Sequence, residues 1–246
     1  MDNLPVSVAK LVKSLQIKKY RSREKSFLVQ GTKSFLELLN SDYELLFVVG
    51  TAEFYQKHSN EFSVTFPFYQ TTESRLAALG TFDSNQSVVA VVRQKENIKP
   101  LFASDTWILA LDDIRDPGNL GTIIRTADWF AIENIIASPS TADFYNPKTI
   151  SASMGSFTRV KVFYSDLYDF FSGYSGKIYL SDLEGINIRD KISFEPGAIV
   201  LGNESTGVRS YWKGLPHTRI NIPGSSRVNS LNVAVSCGII LDRLKG

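Results

Sequence analysis

The stretch of sequence that decides the fold is Trp107-Ile-Leu-Ala-Leu-Asp-Asp-Ile-Arg-Asp-Pro-Gly-Asn-Leu-Gly-Thr-Ile-Ile-Arg-Thr-Ala-Asp-Trp-Phe130. Its apolar start, from Trp107 to Leu111, predicts a buried strand. Asp116-Pro-Gly118 predicts a tight turn, because proline fixes its own φ and glycine tolerates positive φ. Apolar residues then recur with helical spacing, which predicts a helix capped by Asn119. A strand, a turn and a helix in this order place polar side chains at the carboxyl end of a parallel strand, where open α/β sheets bind ligands.

Two polar residues of this stretch are the first candidate site residues. Arg125 follows Asn119 by nearly two helical turns, so we expect that the two can share a face of the helix. Two interpretations are open at this point. The stretch is part of a ligand site, or it is an ordinary strand-to-helix turn in which Asn119 caps the helix and Arg125 is solvated.

Length and composition limit the class of protein. A chain of 246 residues forms one large domain or two ordinary ones, and its 43% hydrophobic and 21% charged content is typical of soluble globular proteins. The sequence has no apolar run of membrane-spanning length and no signal peptide at its start, so we expect no membrane partner. The single Cys237 excludes internal disulfides, and His58 and His217 lie far apart. We therefore expect a cytoplasmic protein without a metal site.

The formal net charge of +2 conceals an uneven distribution. The segment from Lys10 to Lys33 alone carries +7, which leaves about −5 for the rest of the chain. Such asymmetry indicates a polyanionic partner, RNA or DNA first, and Tyr20 and Phe27 lie among the charges. The alternative is a solvated helix face. The candidate RNA-binding residues are Lys18, Lys19, Arg21, Arg23 and Lys33.

The order of predicted elements divides the chain into two α/β domains. Residues 1–96 alternate strands and helices, starting with an amphipathic helix over 7–20. The polar segment 97–104 predicts a linker. Residues 105–246 restart the alternation and end in a helix from Ser230 to Leu244. Because this last helix is apolar around most of its circumference, its own domain or a second subunit must bury it.

Three glycine-bearing segments follow predicted strands in the second domain. The sequence lacks Gly-x-Gly-x-x-Gly after the first strand, which argues against a Rossmann dinucleotide site. It also lacks the P-loop pattern and the Gly-x-Ser-x-Gly elbow, which argues against a P-loop nucleotidase and a serine hydrolase. The three segments are Asp116-Pro-Gly-Asn-Leu-Gly121, Leu201-Gly-Asn-Glu-Ser-Thr-Gly207 and Ile222-Pro-Gly-Ser-Ser-Arg-Val-Asn-Ser-Leu-Asn232.

In this order the three segments resemble motifs 1, 2 and 3 of the SpoU-type (TrmH-like) RNA ribose 2′-O-methyltransferases of the SPOUT superfamily. Motif 1 matches over 116–128, motif 2 over 199–204, and motif 3 at 222–223 and 230–235. The basic N-terminal part is similar to the L30e-like substrate-binding domain that many members carry. Ser205 departs from the pattern, because the family commonly has glycine after the motif 2 glutamate.

The resemblance implies a fold, a cofactor and partners. The fold is α/β, with a small L30e-like domain before a parallel-sheet methyltransferase domain that contains a C-terminal trefoil knot. The cofactor is S-adenosylmethionine. The partners are RNA, ribosomal rather than transfer RNA, and a second copy of the chain bound through the C-terminal domain. Two alternatives stay open, a tRNA 2′-O-methyltransferase and a non-catalytic RNA-binding or ribosome-assembly factor on the same scaffold.

The resemblance also implies roles for particular residues. The family assigns the motif 1 arginine, here Arg125, as the base that deprotonates the ribose hydroxyl. A guanidinium essentially never loses a proton, so electrostatic stabilisation of the developing alkoxide or a grip on a phosphate is the favoured role. The implied catalytic positions are Asn119, Arg125, Glu204, Ser230 and Asn232, and the implied cofactor contacts are Leu201, Gly202, Ile222 and Leu231.

Overall fold

The computed structural model describes residues 2–62, 65–80, 87–103, 105–190, 193–225 and 230–245. The chain forms two compact units, Met1–Glu96 with Asp143–Thr158, and Asn97–Ala142 with Arg159–Gly246. The described helices are α1 (Val6–Ser14), α2 (Lys18–Glu24), α3 (Thr32–Leu39), α4 (Ala52–His58), α5 (Glu73–Leu79), α6 (Pro117–Trp129), α7 (Pro147–Ala152), α8 (Leu167–Ser172) and α9 (Val233–Lys245). The described strands are β1 (Asp2–Asn3), β2 (Ser26–Gln30), β3 (Leu45–Gly50), β4 (Phe68–Gln70), β5 (Val88–Arg93), β6 (Ile108–Asp112), β7 (Asn134–Ala137), β8 (Lys161–Tyr164), β9 (Lys177–Asn187), β10 (Gly197–Gly202) and β11 (Thr218–Asn221).

The first unit is built on a mixed five-stranded sheet in the order β1-β4-β3-β5-β2. Strands β1, β4 and β3 are parallel, and β5 runs antiparallel to its neighbours β3 and β2. Strand β5 is buried along its whole length except at Arg93, as its unbroken valine-rich sequence predicts for a strand covered on both faces. The alternation of strands and helices expected for this part of the chain is therefore present.

The single N-terminal helix predicted over 7–20 is wrong, because the chain breaks between α1 and α2. Ile17 is extended, and α2 restarts at Lys18. The break turns the carbonyls of Leu15 and Gln16 toward Arg21, whose guanidinium donates to both at 3.0 and 2.8 Å. Amphipathic periodicity could not show this break, since the bonds that stabilise it come from a side chain of the next helix.

Arg21 is 2% exposed, so the expectation that it contacts RNA is wrong. Its guanidinium also donates to Asp143 at 2.6 Å, and that ion pair lies inside the first unit. Asp143 begins the segment that joins this unit from the second half of the sequence. The predicted methyltransferase domain is one continuous range, 105–246. The compact units differ from it, because residues 143–158 belong to the first unit together with the N-terminal part of the chain.

The second unit contains a six-stranded sheet in the order β11-β9-β10-β6-β7-β8, and every described pair in it is parallel. Strand β6 is fully buried at the middle of the sheet, as its apolar sequence predicts. Helix α6 follows it, but its cap is Asp116 rather than Asn119. The Asp116 carboxylate accepts from the Asn119 backbone N–H at 2.9 Å, and proline occupies the first turn. The Asn119 side chain is thereby available for contacts outside the helix.

Helix α9 packs against α6 and is buried along one side only. Cys237 lies on the buried side, where burial raises the pKa of its thiol to about 12 and keeps it protonated. Val235 and Ile239 are exposed on α9, and Trp129 is 85% exposed at the end of α6.

No helix among the described residues is both long and apolar enough to cross a membrane. The predicted knot involves the segment before α9, and its residues 226–229 lie outside the described ranges, so the threading stays a prediction.

We predict that Arg21→Met lowers the free energy of unfolding by about 3 kcal/mol or more, because it leaves Asp143 and two carbonyls without their partner. Arg23→Met is the matched control, since the Arg23 side chain is exposed, pairs with its neighbour Glu24 and lies over the Tyr20 ring. That change costs about 0.5 kcal/mol or less. Chemical denaturation followed by circular dichroism measures both. Equal losses for the two variants would contradict the structural role of Arg21.

Candidate active site

An open cavity of about 1150 Å³ lies at the carboxyl ends of β10 and β11 and beside residues 181–183 in the middle of β9. Parallel α/β sheets have their ligand sites at this edge, and the volume is slightly above the range of about 300 to 1,000 Å³ that is usual for small-molecule pockets. The structure brings to this cavity all four residues expected to hold the cofactor, together with two of the predicted polar residues. They are Leu201, Gly202, Ile222 and Leu231, with Glu204 and Ser230.

The loop after β10 forms one wall of the cavity and depends on Gly202. A Cβ atom at this position would lie 2.3 Å from the carbonyl carbon of Gly207, so only glycine permits the loop to fold back so closely. Two backbone hydrogen bonds between Asn203 and Gly207, of 3.1 and 2.8 Å, close the loop. Gly207 supplies the left-handed φ of 68°, whereas Ser205 has no positive φ. The departure at Ser205 therefore leaves the loop geometry intact.

A chain of side-chain hydrogen bonds joins the three motifs at the rim of the cavity. The Asn119 amide donates to the Glu204 carboxylate at 2.7 Å and accepts from the Asn232 amide at 3.0 Å. Asn232 in turn accepts from the backbone N–H groups of Ala234 and Val235, which caps α9. Each amide thus has a fixed orientation, and residues 119, 204 and 232 form one unit. The predicted site residues Asn119, Glu204 and Asn232 are brought together.

Arg125 does not share a helix face with Asn119, so that expectation is wrong. Six residues in an α-helix correspond to about 120° of rotation between the two side chains. Asn119 points toward Glu204, whereas Arg125 is exposed and makes no hydrogen bond or ion pair with the described residues. Arg125 lies four residues before Trp129, so these two side chains are neighbours on the exposed face of α6.

Among the described residues, two carboxylates determine the electrostatic character of the cavity. Glu204 and Asp182 both line it, and Asp182 lies 3.6 Å from the Arg219 guanidinium. The other described lining residues supply apolar side chains, serine and threonine hydroxyls, the amides of Asn203 and Asn221, and backbone groups. Among the residues that the structure describes, no three His, Cys, Asp or Glu side chains are grouped as metal ligands. The cavity therefore suits a partly apolar ligand that carries positive charge.

Sequence reasoning missed a charged cluster at the end of β6. Asp112 is completely buried and accepts from the backbone N–H of Arg209 at 2.8 Å and from the Trp212 indole at 3.0 Å. Asp113 has a left-handed φ of 64°, and the hydrogen bond from Arg115 lowers the pKa of its carboxyl. The signal in the sequence was two adjacent acids at the end of an apolar strand, because buried carboxylates require partners.

Comparison with known proteins identifies both parts of the chain. Residues 106–242 match the SpoU rRNA Methylase family, and residues 7–90 match the MRM3-like substrate binding domain. The 23S rRNA (guanosine(2553)-2′-O)-methyltransferase RlmP of Bacillus subtilis is 28% identical over 95% of this chain and 94% of its own length.

Solved structures match the whole chain. A structure assigned to the TrmH family of RNA methyltransferases, from Porphyromonas gingivalis, has a TM-score of 0.85 and 31% identity, with 98% of each chain covered. An AdoMet-bound rRNA methyltransferase from Sinorhizobium meliloti has a TM-score of 0.85 and 27% identity, over 99% of this chain and 95% of that one. Fold and site thus define an α/β protein of the SPOUT class with a smaller N-terminal domain. Within that class, the chain belongs to the SpoU rRNA methylase family.

We predict that a double-mutant cycle of Asn119→Ala and Glu204→Ala gives a coupling energy of about 1 kcal/mol in chemical denaturation, because each change removes the same 2.7 Å bond. The control pairs Asn119→Ala with Asn97→Ala. Among the residues that the structure describes, the Asn97 amide bonds to the backbone of Tyr164 and not to the motif loops, so these two changes should add within about 0.5 kcal/mol. Additive behaviour of the first pair would show that the bond does not couple the two loops.

Proposed function

We propose that this chain is a cytoplasmic enzyme that transfers a methyl group from S-adenosylmethionine to a ribose 2′-hydroxyl of ribosomal RNA. The observation that supports this proposal most directly is the Glu204–Asn119–Asn232 hydrogen-bond chain at the rim of the cavity, in which Asn119 bonds to both other residues and so joins the three motifs of the family. Several relatives, RlmP among them, are named as methyltransferases of 23S ribosomal RNA. The single, buried cysteine suits a reducing compartment.

The residues around the cavity fit S-adenosylmethionine. Leu201, Ile222 and Leu231 offer apolar surface, and Gly202 lets the loop approach the ligand closely. The carboxylates of Asp182 and Glu204 favour the positive charges of the cofactor. When bound, S-adenosylmethionine supplies a methyl group attached to a positively charged sulfur. The protein then has to hold the ribose hydroxyl in line with that methyl group, and such positioning accounts for much of the rate in a direct transfer.

The polar residues of the site have two kinds of role: Asn119, Glu204 and Asn232 position the motif loops, and Arg125 supplies a positive charge. Glu204 fixes the Asn119 amide, and Asn232 fixes it from the other side, so these three hold the motif loops in register. Arg125 carries a permanent positive charge and has no competing partner among the described residues. We therefore assign it to stabilising the negative charge that develops on the ribose oxygen or to holding an adjacent phosphate.

The test combines cofactor binding with mapping of methylated riboses. Calorimetric titration with S-adenosylmethionine should show binding to the chain and, with similar affinity, to Arg125→Ala. Ribose methylation mapped on total RNA with and without the protein should identify one or more ribosomal sites. We expect Arg125→Ala to lower the methylation rate by about 10² to 10³, because it removes charge stabilisation.

Arg125→Lys is the matched variant, since it keeps the charge but loses the planar fork, and it should retain part of the activity. Absence of cofactor binding by the unmodified chain would contradict the enzyme proposal and favour a non-catalytic RNA-binding factor. Methyl groups found only on tRNA would correct the substrate. A fully active Arg125→Ala would remove Arg125 from the mechanism.

The first unit supplies the proposed RNA-binding surface. Lys18, Lys19, Arg23 and Lys33 are all exposed, and the Arg23 guanidinium stacks 5.0 Å from the centre of the Tyr20 ring. Unlike the buried Arg21, these side chains can reach phosphate groups. A cluster of exposed lysines and arginines binds RNA through its phosphates with a strong dependence on salt.

We predict that Lys18→Glu with Lys19→Glu lowers the affinity for ribosomal RNA and flattens the plot of log Kd against log salt by about 0.7 for each lost phosphate contact. The control is Lys57→Glu, which reverses an exposed charge on α4 outside this basic segment. Fluorescence anisotropy with labelled ribosomal RNA fragments measures both quantities. Equal slopes for the control and the double variant would make the basic segment a solvated helix face.

We propose further that the chain forms a homodimer through α6 and α9. These helices pack together and still expose Trp129, Val235 and Ile239, which are large apolar side chains. Arg125 lies on the same face of α6 as Trp129, so the dimer would place this charge at the interface. The site would then be complete only when a second copy is present.

We predict that Val235→Asp with Ile239→Asp converts the dimer to a monomer, because burying two carboxylates at an apolar interface is costly. Analytical ultracentrifugation measures the mass, and the same preparation is assayed for methylation, which we expect to fall in parallel. The control is Leu101→Asp, since Leu101 is equally apolar and 96% exposed but lies outside α6 and α9, in the segment before β6. A monomeric unmodified chain, or a double variant that remains dimeric, would contradict this interface.

A further inference from the structure

The charged cluster at the end of β6 has the features of a phosphate-binding site. We propose that Arg115 and Arg209 bind a phosphodiester group of the RNA strand that carries the target ribose. This inference rests on the proposed function, because it names a contact that the RNA substrate makes beside the same site. The arginines lie outside the basic segment of the first unit, and the cluster belongs entirely to the second unit.

Asp113 holds both guanidinium groups. Arg115 binds its carboxylate through two nitrogens, with Nε 3.1 Å from Oδ1 and Nη2 2.9 Å from Oδ2. Nη2 of Arg209 lies 3.6 Å from Oδ1 of the same carboxylate. The two arginines are thus neighbours through one shared anion. A bidentate pair fixes the plane of the guanidinium and leaves its remaining N–H groups free to bind another oxygen.

The base of the cluster is buried and rigid. The backbone N–H of Asp113 donates to the Ser138 hydroxyl at 2.9 Å, and its carbonyl accepts from the Asn203 amide at 2.9 Å. Arg209 also pairs with the fully buried Asp112 at 3.2 Å. A left-handed, non-glycine residue such as Asp113 persists only where its surroundings determine its conformation. The arginine heads are therefore held in place before any ligand arrives.

The exposed parts of the cluster are donors suited to an anion. The Arg115 side chain is 72% exposed and that of Arg209 is 41% exposed, whereas the two carboxylates beneath them are almost entirely covered. Arg209 also donates to the Ser140 hydroxyl, which adds a polar group to the same surface. Planar guanidinium forks match the oxygens of a phosphate, and preorganised side chains lose little entropy on binding.

The position of the cluster connects it to the candidate active site. Asn203, whose amide contacts the Asp113 carbonyl, is adjacent to Glu204, and Val208, the residue before Arg209, lines the cavity. Asp116, one residue after Arg115, caps the helix that carries Asn119. A phosphate bound here lies next to the rim of the cavity. The contact would therefore orient the RNA strand in addition to increasing its affinity.

The experiment measures RNA affinity, its salt dependence and cofactor affinity for Arg115→Ala and Arg209→Lys. Arg115 is exposed and removable, and lysine at 209 keeps a cation above Asp112, so both variants should fold. The matched control is Arg159→Ala, which removes an arginine paired with Asp128 before β8. The probe is labelled ribosomal RNA fragments, and Lys18→Glu with Lys19→Glu in the first unit shows that the assay detects lost phosphate contacts.

We expect Arg115→Ala to weaken RNA binding about tenfold and to reduce the salt slope by about 0.7, with unchanged affinity for S-adenosylmethionine. Arg209→Lys should weaken binding less, since it keeps the charge but loses the fork. If Arg115→Ala and Arg209→Lys have the same salt slope as Arg159→Ala, the proposal is overturned, and the ion pairs only stabilise the turn after β6. Lost cofactor affinity with a normal slope would overturn it as well.

These outcomes are distinguishable from failure of the proposed function. If the unmodified chain neither binds S-adenosylmethionine nor methylates RNA, but Arg115→Ala still loses RNA affinity and salt slope, the reaction is wrong and the phosphate site stands. If the unmodified chain methylates RNA and Arg115→Ala behaves like the control, the reaction stands and the phosphate site is wrong.

Discussion

The amide of Asn119 donates to Glu204 and accepts from Asn232, and these two bonds hold together three segments that are far apart in sequence. Each segment is short and follows a different strand, so its own backbone bonds fix it only in part. A side-chain amide has one donor end and one acceptor end, and both are used here in a fixed direction. The carboxylate at 204 and the cap at the start of α9 therefore determine how the rim of the cavity is arranged.

The parallel sheet of the second unit explains why the motifs meet at all. Strand β6 pairs with β10, and their carboxyl ends lie side by side, so the polar residues after each strand share one edge. The apolar run from Trp107 to Leu111 and the turn at 116–118 were sufficient to predict this strand, the following helix and the edge where the site lies. The four cofactor contacts that the family resemblance implies all line the cavity.

Other features could not be predicted, because they depend on partners distant in sequence. In the sequence, Arg21 could not be distinguished from the exposed basic residues around it. In the structure it is buried, because its guanidinium binds two carbonyls at the break between α1 and α2 and the carboxylate of Asp143, which lies 122 positions away. The cap of α6 was assigned to Asn119 because both Asn and Asp are good caps, and Asp116 was the one placed before the first turn. Asp113 gave no periodic signal, since its role comes from its left-handed backbone and its charged neighbours.

The arginines near the site differ in whether a carboxylate holds them. The buried carboxylate of Asp112 and the anchored Asp113 hold their arginines near the active-site loop, whereas Arg125 stands exposed on α6 without such an anchor. An unanchored guanidinium retains its side-chain entropy and becomes ordered only when a ligand or a neighbouring subunit supplies its partner. Because Arg125 shares its helix face with the exposed Trp129, assembly and RNA binding would order it together. In the proposed dimer, the activity of each copy would depend on what covers this face as well as on the cavity.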